Sequence, residues 1–368
     1  MIKFQDLSIK NKKVIEDQIA IFRKFLKSGQ FILGKEVEQI ENLVSKKINK
    51  KYTVGVSSGT NALYLALKSI NLKKNDQVLV PCLSWLSTFT AVKVAGGEPI
   101  GIDLEKNNYL LDYKLIEKKI NKKTKALIMV HYTGLIENMD KIRMICKKKK
   151  IYLIEDCAQS FGAKFNNLPA GSFGHIACFS MNPMKVFASI GDAGFVSTND
   201  DKIYKKLLSL RYAGTINKEY CIYPEINHKI DTLDALILRY NFKSLKKKIS
   251  NRISKAQLYK NFLAKNNFIV LPKILKNYQH IYYSFQIIAQ HRDKLMNFLK
   301  KRKIETKIQH KYLVSDHPGL KNQFNKTKNF TNGVFIKDNT LSLPIHEKIT
   351  TRQIKKICIL VNKFYEIF

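Results

Sequence analysis

Short apolar runs alternate with amphipathic stretches through the first two thirds of the chain, the pattern of strands separated by helices. Before about Lys50 the period is helical, with Val37, Ile40, Leu43 and Val44 on one face. A polar turn at Ser57 to Thr60 leads into a helix over Ala62-Leu63-Tyr64-Leu65-Ala66-Leu67. Gln77-Val78-Leu79-Val80 and Pro99-Ile100-Gly101-Ile102-Asp103 read as strands on either side of a helix from Ser87 to Ala95. Ala126-Leu127-Ile128-Met129-Val130 continues the series, followed by a helix over Met139 to Lys149. Tyr152 to Glu155, Ile176 to Phe179 and Gly194 to Ser197 supply further strands. Continuous apolar strands alternating with helices predict an α/β fold, a mostly parallel central sheet with helices on both faces. Ligands in such sheets sit at the carboxyl ends of the strands.

After Asn241 the pattern changes. Lys243 to Leu263 reads as one long basic helix, with Leu245, Ile249, Ile253 and Leu258 as its inner side. Strand-like Phe268 to Leu271 and Ile281 to Ala289 follow, then helical Asp293 to Lys301 and strand-like Ile304 to Ile308. Leu341-Ser342-Leu343-Pro344 is a last short strand before a terminal helix from Thr351. The reading is a large domain over residues 1–242, helical at its start, and a smaller C-terminal α+β domain over 243–368.

Composition changes this picture little. With 45% hydrophobic residues the chain can bury a proper interior. A net charge of +36 raises the possibility of a nucleic-acid partner, but of 65 basic residues only eight are arginine, the residue suited to bidentate phosphate and base contacts. The lysines are spread along the whole chain, as solvated helix faces are, so no nucleic-acid partner is expected. The charge still favours anionic substrates such as nucleotides. Six scattered cysteines without a Cys-x-x-Cys pair fit a reduced, cytoplasmic protein, and the scattered histidines offer no metal-ligand spacing. The start of the chain lacks a signal-peptide core, and no stretch approaches a membrane span.

The chemistry gathers at three places. Lys185 closes Cys178-Phe179-Ser180-Met181-Asn182-Pro183-Met184-Lys185, which leaves a strand and is braked by a proline. Glu155-Asp156-Cys157-Ala158-Gln159 ends another strand, where an ionised Asp156 is costly unless paired. Ser57-Ser58-Gly59-Thr60-Asn61 opens a helix, so its backbone N–H groups can meet an anion. Taken singly, each has a bland explanation: a surface lysine, a strand-end cap, a common helix start. Together they provide an amine for a Schiff base, a carboxylate for a pyridine nitrogen and a cradle for a phosphate. That set suits pyridoxal 5'-phosphate, whose electronics the protein tunes. Trp85, the only tryptophan, follows Pro81 and could stack on the ring; Gln159 could reach the ring hydroxyl and Ser180 the phosphate.

With these residues in place, the chain resembles the DegT/DnrJ/StrS family of pyridoxal-phosphate-dependent sugar aminotransferases, of the type I aminotransferase fold. The likeness starts at Ser28-Gly29-Gln30-Phe31-Ile32-Leu33-Gly34 and continues through Ser58 to Leu63, Glu155 to Gln159 and Phe179 to Gly194. Asn227-His228-Lys229 and Leu341 to Pro344 match more loosely. The resemblance implies that Lys185 carries the cofactor and shuttles a proton, that Asp156 pairs with the ring nitrogen, and that Gln159 pairs with the ring hydroxyl. It places the phosphate among Gly59, Thr60 and Ser180, with Trp85 on the ring face and Asn61 among the cofactor-binding residues. Asn227 would reach the phosphate held by a neighbouring subunit, so a homodimer with shared sites is implied. The Gly29 to Gly34 loop would border a sugar-nucleotide pocket. L-glutamate is the implied amino donor and a nucleotide-linked keto-sugar the acceptor, for amino-sugar and surface-polysaccharide synthesis.

Two positions depart from the family. Lys229 stands where arginine is usual and loses its planar fork, and Asp234-Ala235 replaces a frequent Gln-Ala. Pro183 with Gly191-Asp192-Ala193-Gly194 is more like members that aminate a 3-keto sugar than the Glu-Gly-Gly of many 4-keto enzymes. A dehydratase of the same fold would carry histidine in place of Lys185; a regulator without turnover would fail to consume glutamate.

Overall fold

The computed structural model describes residues 1–106, 109–273, 276–320 and 330–367. Helices α1 (Lys12–Ser28) and α2 (Lys35–Ile48) precede strand β1 (Tyr52–Val56). Then α3 (Gly59–Ser69), β2 (Gln77–Pro81), α4 (Ser87–Val94), β3 (Glu98–Ile102), α5 (Tyr113–Lys119), β4 (Thr124–Val130), α6 (Met139–Lys149) and β5 (Tyr152–Asp156) alternate. A small hairpin of β6 (Lys164–Phe165) and β7 (Leu168–Pro169) leads to β8 (Ile176–Ser180) and β9 (Gly194–Thr198). Beyond α7 (Asp201–Arg211) lie a hairpin of β10 (Thr215–Ile216) and β11 (Tyr220–Cys221), then α8 (Thr232–Phe242) and α9 (Leu245–Leu263). The last part holds β12 (Ile269–Val270), β13 (Tyr278–Gln279), β14 (Phe285–Ala289), α10 (Arg292–Lys301), a helix Thr331–Asn339, β15 (Thr340–Leu343) and a helix Thr351–Ile367.

The central sheet has seven strands in the order β1-β9-β8-β5-β4-β2-β3. β3, β2, β4, β5 and β8 run parallel, while β9 lies antiparallel between β8 and β1. The expected α/β architecture is therefore present, with one reversed strand. Its parallel strands are almost wholly apolar because helices cover both faces. Val78, Leu79 and Val80 of β2 are fully buried, as are Leu127, Ile128 and Met129 of β4. α2 shows how locally its ends are written. Glu36 and Glu38 stand in its first turn and Lys46 and Lys47 in its last, matching the helix dipole, and Asn49 closes it in the left-handed region.

A second, smaller core gathers Ile2 with side chains between Ala256 and Tyr365, around the antiparallel sheet β12-β14-β15. Leu313, Val314 and Ile336 of the same stretch pack instead into the first core, stitching the two together.

Three expectations for this part need correction. Ile304 to Ile308 is not a strand; it makes single bridges, Ile304 to Ile2 and Lys307 to Ser342. β14 starts at Phe285 rather than Ile281, because Tyr282 sits at φ 51° with its N–H held by His280 Nδ1 at 2.8 Å. The inner face of α9 comprises Leu245, Ile249, Arg252, Lys255, Ala256, Tyr259 and Leu263, with Ile253 and Leu258 only half-buried. Pattern reading passed over Arg252 as polar. Its guanidinium is buried by bonding Glu347 at 2.8 Å and the Tyr282 and Ile345 carbonyls at 3.0 Å.

Candidate active site

The predicted chemistry meets where β1, β5 and β8 end. Ser58 caps α3, its hydroxyl accepting from Asn61 N–H at 3.1 Å, while the Asn61 amide donates to Ser57 Oγ at 2.7 Å. As first-turn groups, the Gly59 and Thr60 N–H have no intrahelical acceptor and remain for an anion. Gly59 is required sterically: a Cβ there would lie 2.5 Å from Ser180 Cβ. Gly194 is equally hemmed in, its Cβ position 2.5 Å from Ser58 O. Backbone is thereby exposed beside the Ser180 hydroxyl, and Thr60 Oγ1 stands 2.7 Å from Ser87 Oγ at the start of α4. This cradle fits a phosphate.

Asp156 is buried at the end of β5. Its Oδ1 accepts from Ala158 N–H at 3.1 Å and its Oδ2 from the Thr88 hydroxyl at 3.0 Å. Burial pushes this carboxyl above its ordinary range, and those two donors and the Lys185 charge only partly oppose it. Such a carboxylate is open to a further cationic partner. Gln159 is buried beside it with Oε1 taken by Thr133 N–H at 2.7 Å, so its NH₂ is the group left to donate.

Lys185 is held in a turn by its N–H to Asn182 O at 2.9 Å. The preceding Met184 carbonyl is gripped by Gln5 Nε2 at 3.1 Å. Lys185 Nζ lies 4.8 Å from the centre of the Tyr283 ring. The departing residue Asp234 secures the far side of this loop, accepting from Ser189 Oγ at 2.5 Å. Trp85 stands on the rim, 63% exposed, its ring centre 6.4 Å from that of His310.

Some groups fall outside this cluster or were not anticipated. Asn227 is exposed, and its Oδ1 turns back to Lys229 N–H at 3.1 Å, so the chain's own Asn227 does not join the cluster. Lys229 Nζ rests 4.1 Å from the centre of the Tyr212 ring instead of forming a guanidinium-type fork. The Gly29 to Gly34 loop is strapped to α8 by Thr232, whose hydroxyl takes Gly34 N–H at 3.2 Å. Sequence reading missed Thr88, Ser87, Thr133, Tyr283 and His310. Burial, with the nearby Lys185 charge, pushes His310 down to about 3, leaving a neutral ring. The only available signal was the polar spacing Ser84, Ser87, Thr88 at the head of an apolar helix.

The sequence profile of the DegT/DnrJ/EryC1/StrS aminotransferase family matches residues 12–362. The chain belongs to this family. It is a pyridoxal-phosphate-dependent transaminase, and the phosphate cradle and buried Asp156 described above fit that cofactor. One relative is the dTDP-3-amino-3,6-dideoxy-alpha-D-galactopyranose transaminase of Aneurinibacillus thermoaerophilus, 30% identical over 99% of both chains. Another is the UDP-2-acetamido-2-deoxy-3-oxo-D-glucuronate aminotransferase of Pseudomonas aeruginosa, 29% identical over 97% of this chain and 99% of the relative. Among solved structures, Streptomyces venezuelae DesV in complex with a ketimine intermediate superposes with a TM-score of 0.95 at 28% identity. That match covers 99% of this chain and 98% of the other. No helix among the described residues is long and apolar enough to cross a membrane.

Proposed function

We propose that this transaminase moves an amino group from L-glutamate to the ketone of a nucleotide-linked deoxy-sugar, C3 rather than C4. The observation that carries the reading is the meeting of Lys185, the buried Asp156 and the α3 cradle at one end of the sheet. The C3 preference is supported by the names of the two relatives above, one a 3-amino-sugar and one a 3-oxo-sugar enzyme.

Bound in the cradle, pyridoxal phosphate supplies an electron sink that lets a proton leave the donor's α-carbon. The Lys185 amine takes that proton and later returns one to the sugar carbon. Asp156, as an anion, would keep a proton on the ring nitrogen, and the Gln159 amide would donate to the ring hydroxyl. The Gly59 and Thr60 N–H groups and the Ser180 hydroxyl would hold the phosphate, while Asn61, bonded to Ser57 and Ser58, would fix the turn that presents them. Trp85, exposed on the rim, would lie against one face of the ring once the cofactor is bound.

A second copy of the chain completes this proposal. Ile216, Tyr220, Ile222 and Ile226 form an exposed apolar rim around the Asn227 segment. Buried against a partner, that rim would carry the partner subunit's Asn227 to this phosphate. An enzyme that is fully active as a monomer would remove the shared-site reading. The product suits glycan or surface-polysaccharide synthesis, and six free thiols, five of them buried, suit the reducing cytoplasm.

The test mixes purified protein, pyridoxal phosphate and L-glutamate with a panel of nucleotide-linked 3-keto and 4-keto sugars, following amino-sugar formation. Turnover is expected on a 3-keto member; amination of 4-keto sugars alone would overturn the C3 assignment. Lys185→Ala should abolish both turnover and the absorbance band of lysine-bound cofactor. Retention of both would mean that another lysine does the work.

A further inference from the structure

The first turn of α4, with the residues just before it, touches both ends of the proposed cofactor site. Ser87 meets Thr60 at the phosphate end. Thr88, only 1% exposed, meets Asp156 at the other end. Behind Thr88 stands Ser84, also buried, with its hydroxyl oxygen 3.0 Å from Thr88 Oγ1. A hydroxyl has a single proton to give. An ionised Asp156 can only accept, so the Thr88 proton goes to Oδ2 and Ser84 must donate to Thr88. The bonds therefore run one way, from Ser84 through Thr88 to Asp156, and each polarises the next.

We propose that Thr88, supported by Ser84, is a positioning residue that sets the orientation and the ionised state of Asp156. The proposal rests on Asp156 facing the ring nitrogen, as argued above. A carboxylate turns easily about its terminal torsion. The Ala158 N–H pins Oδ1 only, which leaves a pivot, and the Thr88 hydroxyl pins the second oxygen. The β-branched side chain of threonine has few rotamers in a helix, so the hydroxyl is itself held. Each donor also favours the anion over the neutral acid, which matters at a site whose burial works the other way. A protonated Asp156 would have no negative charge with which to hold a proton on the ring nitrogen.

Thr88→Val keeps the branched shape and removes the hydroxyl; Thr88→Ser keeps the hydroxyl and removes the methyl. Titration of purified apo-protein with pyridoxal phosphate should show binding about tenfold weaker for the valine variant and within about twofold of wild type for serine. The pH midpoint of the lysine-bound cofactor's absorbance should move in the valine variant and return in the serine variant. Wild-type behaviour of Thr88→Val in both measurements overturns the proposal, as does equal impairment of the serine variant, which would make the methyl the important group. Asp156→Asn separates the two levels of the argument. If it disturbs affinity and midpoint while Thr88→Val does not, the Thr88 role alone fails; if it disturbs neither, the Asp156 reading falls first. Should the valine variant not fold, Ser84→Ala carries the test: a shift of the midpoint away from wild type supports the relay, and no shift overturns it.

Discussion

Glu155 and Asp156 are neighbours at the end of β5, both buried and both acidic, and the fold treats them in opposite ways. Glu155 points to the sheet face covered by the turn before β8. There it accepts from Gly171 N–H at 2.9 Å, Phe173 N–H at 2.8 Å, Gly174 N–H at 2.5 Å and His131 Nε2 at 2.9 Å. Lys50 Nζ grips Gly174 O at 2.6 Å from the other side. Burial alone would raise the Glu155 carboxyl, but His131, the Gly174 N–H and the Lys50 charge outweigh it and hold it below the usual range. Asp156 has two donors and stays above its ordinary range. A carboxylate whose acceptor sites are filled by fixed donors serves structure. One left short of donors in a dry place is ready for a ligand cation.

The largest effect should come from Asp156. Asp156→Asn is expected to cut turnover by at least about a hundredfold, because it removes the anion without changing shape. Steady-state assays with saturating cofactor check this, and near-normal turnover would erase the functional half of the contrast.

Next comes Glu155→Gln, measured as urea unfolding of the apo-protein. A loss of about 2–4 kcal/mol at pH 7 is expected, since Gln cannot satisfy four donors and leaves Lys50 without its counter-charge. The folded-state carboxyl lies below its unfolded value, so its stabilisation is present above the unfolded pKa and fades as pH falls through the folded one. The gap between wild type and variant should therefore narrow below about pH 4. A gap independent of pH would show that shape, not charge, matters here.

The smallest effect has the opposite sign. With its folded pKa raised, Asp156 costs stability once pH rises above its unfolded value. The Asp156→Asn apo-protein should be more stable than wild type by about 1 kcal/mol at pH 7, the difference closing below about pH 4. A less stable variant at pH 7 would place Asp156 with Glu155 as a structural group.

Much of this was readable in the chain. The apolar strands of the sheet, the small residues at Ser58 to Asn61 and the order of Asp156 and Lys185 are local features, and local features leave local patterns. The smaller part was less legible: α9 buries Arg252 because partners from Tyr282, Ile345 and Glu347 converge on it from far along the chain. His310 and Thr88 escaped notice for the same reason.

What the amino-acid order determined by itself is the alternation of elements and the kinds of side chain delivered to strand ends, since periodicity and turn chemistry act over a few residues. Tertiary structure alone decided which of two adjacent acids would be saturated and which left open. That choice depends on donors from the residue just after β4, from α4 and from the turn before β8, brought within about 3 Å by packing across the sheet.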